Sequence, residues 1–127
     1  MRQLIAREQP RIFISMLSGV EVLAAIMRKG RTGEASPRER DKALEAFRRE
    51  FATSYALIPP EPRVIHKAMD LLLAHPLRAY DAVQLATALT LPPPPRGSKL
   101  TFVSADEELL TVTRKLGLSV ENPNLRP

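Results

Sequence analysis

Residues 100–120 read LTFVSADEELLTVTRKLGLSV, and they spell strand, helix and strand in one sweep. Leu100–Val103 is a short apolar, β-rich run. Ser104-Ala-Asp-Glu107 has the spelling of a capping box, in which the serine caps the helix start and the acid reaches back. Leu109, Leu110, Val112 and Leu116 then face the core at helical spacing, and Gly117 is the stop. Leu118–Val120 is a final short strand before a Pro-containing tail. Strands alternating with helices imply a parallel sheet with helices on its faces.

Working outward, Arg78–Leu91 (RAYDAVQLATALTL) is a helix apolar on most sides, of the kind normally covered on both flanks. Pro92–Pro95 ends it and forms a rigid surface connection. Pro62–Ala74 reads as an amphipathic helix with Ile65, Ala68, Leu72 and their neighbours inward, stopping before Pro76 because the residue ahead of a proline avoids helical geometry. Tyr55–Ile58 is a short strand. Ser36-Pro37-Arg38-Glu39 opens a helix with proline at its first position and a capping glutamate at its third. Leu44, Phe47 and Phe51 put one apolar stripe of that helix toward the core. Arg11–Ser15 (RIFIS) is expected as a buried strand. Ser18-Gly-Val-Glu21 is a further capping-box spelling, opening a helix that stops near Gly30. With no internal repeat and no linker, residues 1–127 are expected to form one α/β domain.

Composition narrows the chemistry. The 127 residues contain no cysteine, which excludes a disulfide framework, thiolate metal ligation and a cysteine nucleophile. The two histidines, His66 and His75, leave little room for a histidine-based zinc site. No run approaches a membrane span, and the start MRQLIAREQP is charged throughout, so a cytoplasmic protein without membrane association is expected. The net charge of +5 favours a polyanionic partner. Between Arg28 and Glu50 lie eight basic and five acidic residues, many of them a charge-mixed helix face that pairs locally. Arg28, Lys29 and Arg31 are the candidate phosphate-attracting rim. Six aromatic residues and no tryptophan argue against a base-stacking platform.

Three acids fall in equivalent places. Glu21 is expected in the first turn of the helix after strand 11–15, Asp106 in the first turn after strand 100–103, and Asp81 near the start of the apolar helix 78–91. In a parallel sheet the carboxyl ends of the strands and the helix N-termini converge, and ligands bind there. Carboxylates brought to that edge suit hard divalent cations, which prefer a few such oxygens plus waters and substrate phosphate. Such a cation lowers the pKa of a bound water and stabilises charge in an attack on phosphorus, so phosphodiester hydrolysis needs no Cys, His or Ser nucleophile. For each acid singly, helix capping and the macrodipole give the plainer account. Asp81, set against Tyr80 and an apolar run, is the least plain of the three, because a carboxylate beside packed surface must be hydrogen-bonded, protonated or facing a cation. Ser15, Ser18 and Ser104 read as capping residues, since no histidine base accompanies them. Glu107 and Glu108 read as helix-surface acids.

Leu77–Leu89 (LRAYDAVQLATAL) resembles the central motif of PIN-domain proteins of the VapC toxin type. Thr101–Leu110 (TFVSADEELL) resembles the last acidic motif of that family, Leu118–Pro123 its usual ending, and Ile12–Arg28 the segment with its helical glutamate. The resemblance implies a PIN-like three-layer α/β fold and a metal-dependent endoribonuclease. It implies Mg²⁺ or Mn²⁺ as cofactor, with Glu21, Asp81 and Asp106 as catalytic metal ligands and Ser104 supporting them. It further implies an RNA substrate, a cognate antitoxin protein within a toxin–antitoxin pair, and a homodimer. The family also begins with a strand ending in an Asp-Thr-Ser or Asp-Ser-Ser tripeptide, which this sequence does not show. Arg2–Gln9 resembles only the end of the first helix, so an N-terminal truncation is expected. It would remove about 15–20 residues, a strand and most of a helix at average lengths. Loss of that strand would leave its neighbours without a shared hydrogen-bonding partner. Two other readings stand beside this one. One is a catalytically inactive PIN remnant that binds an antitoxin or a homologous toxin, and the other is a basic RNA-binding domain without a site.

Overall fold

A computed structural model describes residues 12–125 of the chain. The expected helical end over Arg2–Gln9 lies outside the described residues, as does Arg11 of the first expected strand. The chain divides into two compact units, Met1–Pro59 and Pro60–Pro127.

The first unit runs β1 (Phe13–Ser15), α1 (Leu17–Thr32), α2 (Pro37–Ser54) and β2 (Ala56–Ile58). β1 and β2 pair in parallel, with Phe13 opposite Ala56 and Ser15 opposite Ile58. The expectation of a buried β1 is corrected: Ile12 and Phe13 are exposed, Ile14 is half-buried, and only Ser15 is fully enclosed. With three residues and, among the described residues, one partner strand, β1 has little surface from which to bury both of its apolar faces.

The Ser18 capping box is also corrected. Helix α1 begins at Leu17 with Met16 in the N-cap position and no side-chain cap, so Ser18 lies inside the helix and is buried. The tight exit from β1 starts the helix early: the Ser15 hydroxyl accepts the Leu17 amide at 3.2 Å. Glu21 therefore sits beyond the first turn. At the other end the helix passes through Gly30 and stops at Gly33, whose φ of 83° is the left-handed conformation that glycine adopts without steric cost.

The box at Ser36 forms as read. The Ser36 hydroxyl accepts the Glu39 amide at 3.1 Å and the Glu39 carboxylate accepts the Ser36 amide at 2.8 Å, with Pro37 at the first helical position. These bonds, the one from the Ser36 backbone first, hold the Glu39 carboxyl below the usual carboxylate range. Phe47 and Phe51, one turn apart on α2, stack with ring centroids 5.0 Å apart. The Phe51 ring lies against Gly19 of α1, where a Cβ would come within 2.7 Å of its tip.

The second unit runs α3 (Pro62–Ala74), α4 (Ala79–Thr90), β3 (Thr101–Val103), α5 (Glu107–Lys115) and β4 (Ser119–Glu121), then a 3-10 turn over Pro123–Leu125. β3 and β4 pair in parallel through the α5 crossover, as residues 100–120 predict. Helices α3 and α4 form an antiparallel hairpin, closed where the Arg63 guanidinium donates to the Thr90 carbonyl left open at the end of α4. The core joins Val64, Ala68 and Leu71 of α3, Ala82, Leu85 and Ala86 of α4, and Leu109 and Val112 of α5. Helix α4 is covered by both neighbours, as its apolar sequence requires.

The buried face of α3 differs from the expected one. Ala68 is inside, but Val64 and Leu71 accompany it, while Ile65 and Leu72 are exposed. Both triplets have helical spacing, so the pattern alone did not separate them. On α5, Leu116 is likewise exposed and Thr113 is fully buried, its hydroxyl satisfied by donating to the Leu109 carbonyl at 2.7 Å.

Candidate functional site

Two of the three acids share a cleft in the second unit. It is lined by Pro76, Leu77, Arg78 and Asp81 on the approach to α4, and by Asp106, Glu108 and Leu109 at the start of α5. Both helices point their N-terminal ends at it, and the macrodipole there favours negative charge.

Asp81 is the acidic residue in the first turn of α4 and is half-buried. The next residue, Ala82, and Leu85 beyond it are fully enclosed in the core, so the helix that carries the carboxylate cannot rotate. Tyr80 and Gln84, on either side, join through a hydrogen bond of 2.9 Å from the amide nitrogen to the phenol oxygen.

Asp106 is held from both directions. Ser104, whose own amide donates to the Glu121 carbonyl at 3.1 Å, accepts the Asp106 amide on its hydroxyl at 3.0 Å. Asp106 in turn caps α5: its Oδ1 accepts the amides of Glu108 and Leu109 at 2.9 and 3.2 Å. This corrects the expectation that Ser104 is the N-cap and Asp106 a first-turn residue. Ser104 turns the chain out of β3, and the cap falls two residues later because Asp106 has the extended backbone an N-cap requires. Since both capping bonds fall on Oδ1, Oδ2 takes no hydrogen bond from the described residues.

The two glutamates beside it separate. Glu107 is engaged by the Asn122 amide at 2.5 Å and by Arg114 at 4.0 Å, whereas Glu108 lines the cleft. Both are exposed in the first turn of α5, in keeping with their reading as helix-surface acids, and Glu108 in addition lines the cleft. Arg78 was missed; the only signal for it was a cation just ahead of a helix start, where the dipole disfavours one.

Glu21 is exposed on α1 in the first unit. Arg28, Lys29 and Arg31 occupy the exposed last turns of the same helix and enter no ion pair among the described residues. Within neither unit do three or more His, Cys, Asp or Glu side chains of the described residues form a metal cage. The donor set in the cleft is all hard oxygen, and the second oxygen of Asp106 is uncommitted. That fits a Mg²⁺-like ion, which takes one or two carboxylates and keeps waters, and it does not fit zinc.

No helix of the described residues is long and apolar enough to cross a membrane. Among curated proteins, none matches the chain. The profile of the PIN domain matches residues 1–115. PIN domains are generally nucleases, and PIN nucleases generally use divalent metal ions. The parallel strand pairs, the helices that cross between them and the acids at the helix starts accord with that match, which covers nearly the whole sequence: the chain belongs to the PIN domain family.

Proposed function

We propose that this chain is a Mg²⁺- or Mn²⁺-dependent endoribonuclease of the VapC toxin type, hydrolysing phosphodiester bonds of RNA. What supports it most is the presence of Asp81 and Asp106 in one cleft of a PIN-family chain. A divalent cation, when bound, lowers the pKa of a coordinated water and offsets the charge that develops on phosphorus.

The protein's own groups supply position. Packing of Ala82 and Leu85 fixes the start of α4 and so the reach of Asp81. Two amides pin one oxygen of Asp106 and leave the other for a cation, while the Ser104 hydroxyl keeps the turn in register. Arg28, Lys29 and Arg31 would draw the polyanion through long-range attraction.

The test is cleavage of labelled RNA by the purified chain. Cleavage with Mn²⁺ or Mg²⁺ should stop on chelation and be abolished in Asp81→Asn; equal cleavage in EDTA would refute the reading.

A second reading, a protein-binding module without activity, is favoured by one observation. Ile65, Met69 and Leu72 follow one another at helical spacing on α3 and are exposed, and Leu73 beside them is 88% exposed. A contiguous apolar face of this kind marks an interaction surface, whereas scattered apolar residues do not. Under the first reading the same face would serve a cognate antitoxin or a homodimer. Calorimetry separates the two: tight binding of a candidate antitoxin with no heat of Mn²⁺ binding supports the inactive module.

A further inference from the structure

We infer that Arg78 is a phosphate-binding residue of the cleft, holding a backbone phosphate of the RNA next to Asp81 and Asp106; this rests on the nuclease reading above. Arg78 lines the cleft together with Asp81, Asp106 and Glu108. Despite three acids around one small opening, the guanidinium forms no ion pair with any of them: the ion pairs among the described residues involve Arg40, Arg49 and Arg114.

Its position on the helix sharpens the point. Arg78 is the N-cap of α4, with extended backbone and no capping bond from its side chain. That position ordinarily takes Ser, Thr, Asp or Asn, whose short oxygen-bearing side chains satisfy the first amides. A guanidinium there caps nothing and meets the positive end of the helix dipole. The starts of α1 and α3 also lack a side-chain cap, and what sets α4 apart is the cation at its start, within the cleft that the acids line.

The missing element is an anion. A phosphate at the start of α4 would be favoured by the same dipole that opposes Arg78, and the planar guanidinium matches two phosphate oxygens at once. The arrangement also answers an electrostatic difficulty. Carboxylates suited to a cation repel a phosphodiester, so a fixed positive group in the same cleft is needed to seat the backbone. Arg78 is thus a substrate-positioning residue, distinct from the acids that hold the cation.

The experiment is steady-state cleavage of a fluorescein-labelled, single-stranded RNA of mixed sequence by the full chain with Mn²⁺, repeated across a salt series. Arg78→Gln should raise KM roughly tenfold, the order expected when a charge-assisted hydrogen bond is lost. It should also lower the slope of log KM against log salt by about 0.7, the value for one phosphate contact on single-stranded nucleic acid. Arg78→Lys keeps the charge but not the fork, so it should restore the slope while KM stays above that of the parent. The side chain makes no capping bond, so its replacement should leave the circular dichroism melt unchanged. An Arg78→Gln protein with parental KM and parental slope overturns the inference and leaves the nuclease reading standing. So does one that loses kcat at an unchanged slope. If the parent chain neither binds nor cleaves the RNA with Mn²⁺, the nuclease reading fails and the inference falls with it.

Discussion

At Asp106 a single carboxylate faces two demands, and its two oxygens divide them. Oδ1 accepts two amides at the start of α5, and Oδ2 is left to the cleft. Asparagine caps helices about as well as aspartate, because one side-chain oxygen is enough. Asp106→Asn should therefore melt close to the parent, whereas Asp106→Ala should lose about 1 kcal/mol of stability through the vacated cap. Both should lose metal-dependent RNA cleavage. An Asp106→Asn protein that cleaves as the parent does would reduce Asp106 to a capping residue. The helix that carries Asp81 is anchored by Ala82 and Leu85 behind it. For these two acids the residue and its helix end were legible in the sequence. It did not give the division of labour at Asp106, which depends on where the chain leaves β3.

Helix starts and helix faces show how far local pattern reaches. Three stretches share the capping-box spelling, and only Ser36–Glu39 forms the reciprocal pair. At Ser18 and Ser104 the turn out of the preceding strand moves the true cap, two residues upstream to Met16 in α1 and two downstream to Asp106 in α5. The formed box predicts a pH response. Glu39 titrates below its ordinary range in the folded chain, so the stability it contributes is fully present above the unfolded carboxyl value and is lost as pH falls through the depressed one. Ser36→Ala should return the Glu39 carboxyl titration, followed by NMR, toward the ordinary range and should cost about 1 kcal/mol.

Glycines in α1 test packing against propensity. In a helix interior, alanine is preferred over glycine by about 0.5–1 kcal/mol. At Gly30 the new Cβ would meet the aliphatic part of Arg40 at 2.8 Å, a flexible side chain that is partly in solvent and can swing away. At Gly19 it would meet the Phe51 ring at 2.7 Å, and that ring is already stacked on Phe47. Overpacking of this kind costs about 1–3 kcal/mol. Thermal melts should accordingly show Gly30→Ala above the parent and Gly19→Ala below it.

For the whole molecule, the proposed cation couples function to stability. A ligand that binds only the folded chain stabilises it by about 2.7 kcal/mol at a hundred times its Kd. Mn²⁺ should therefore raise the melting temperature, EDTA should reverse the rise, and Asp81→Asn should abolish it while Ser36→Ala retains it. A parent chain whose melt is indifferent to Mn²⁺ would count against a cation shared by these acids. The net charge of +5 predicts attraction to polyanions at low salt whatever the fate of the site, so the melt, which reads the acids, is the more discriminating measurement.

Composition and periodicity settled the classes of element, the parallel pairing across α5, the apolar character of α4 and the absence of cysteine chemistry, because these follow from short-range sterics and from which residue types are present at all. The tertiary structure alone decided which of two equally spaced faces of α3 is buried, that Glu107 pairs with Asn122 while Glu108 lines the cleft, and that Arg78 stands beside the acids without an ion pair. Each of those outcomes depends on groups distant in sequence meeting in space, and a periodic pattern contains no term for the partner.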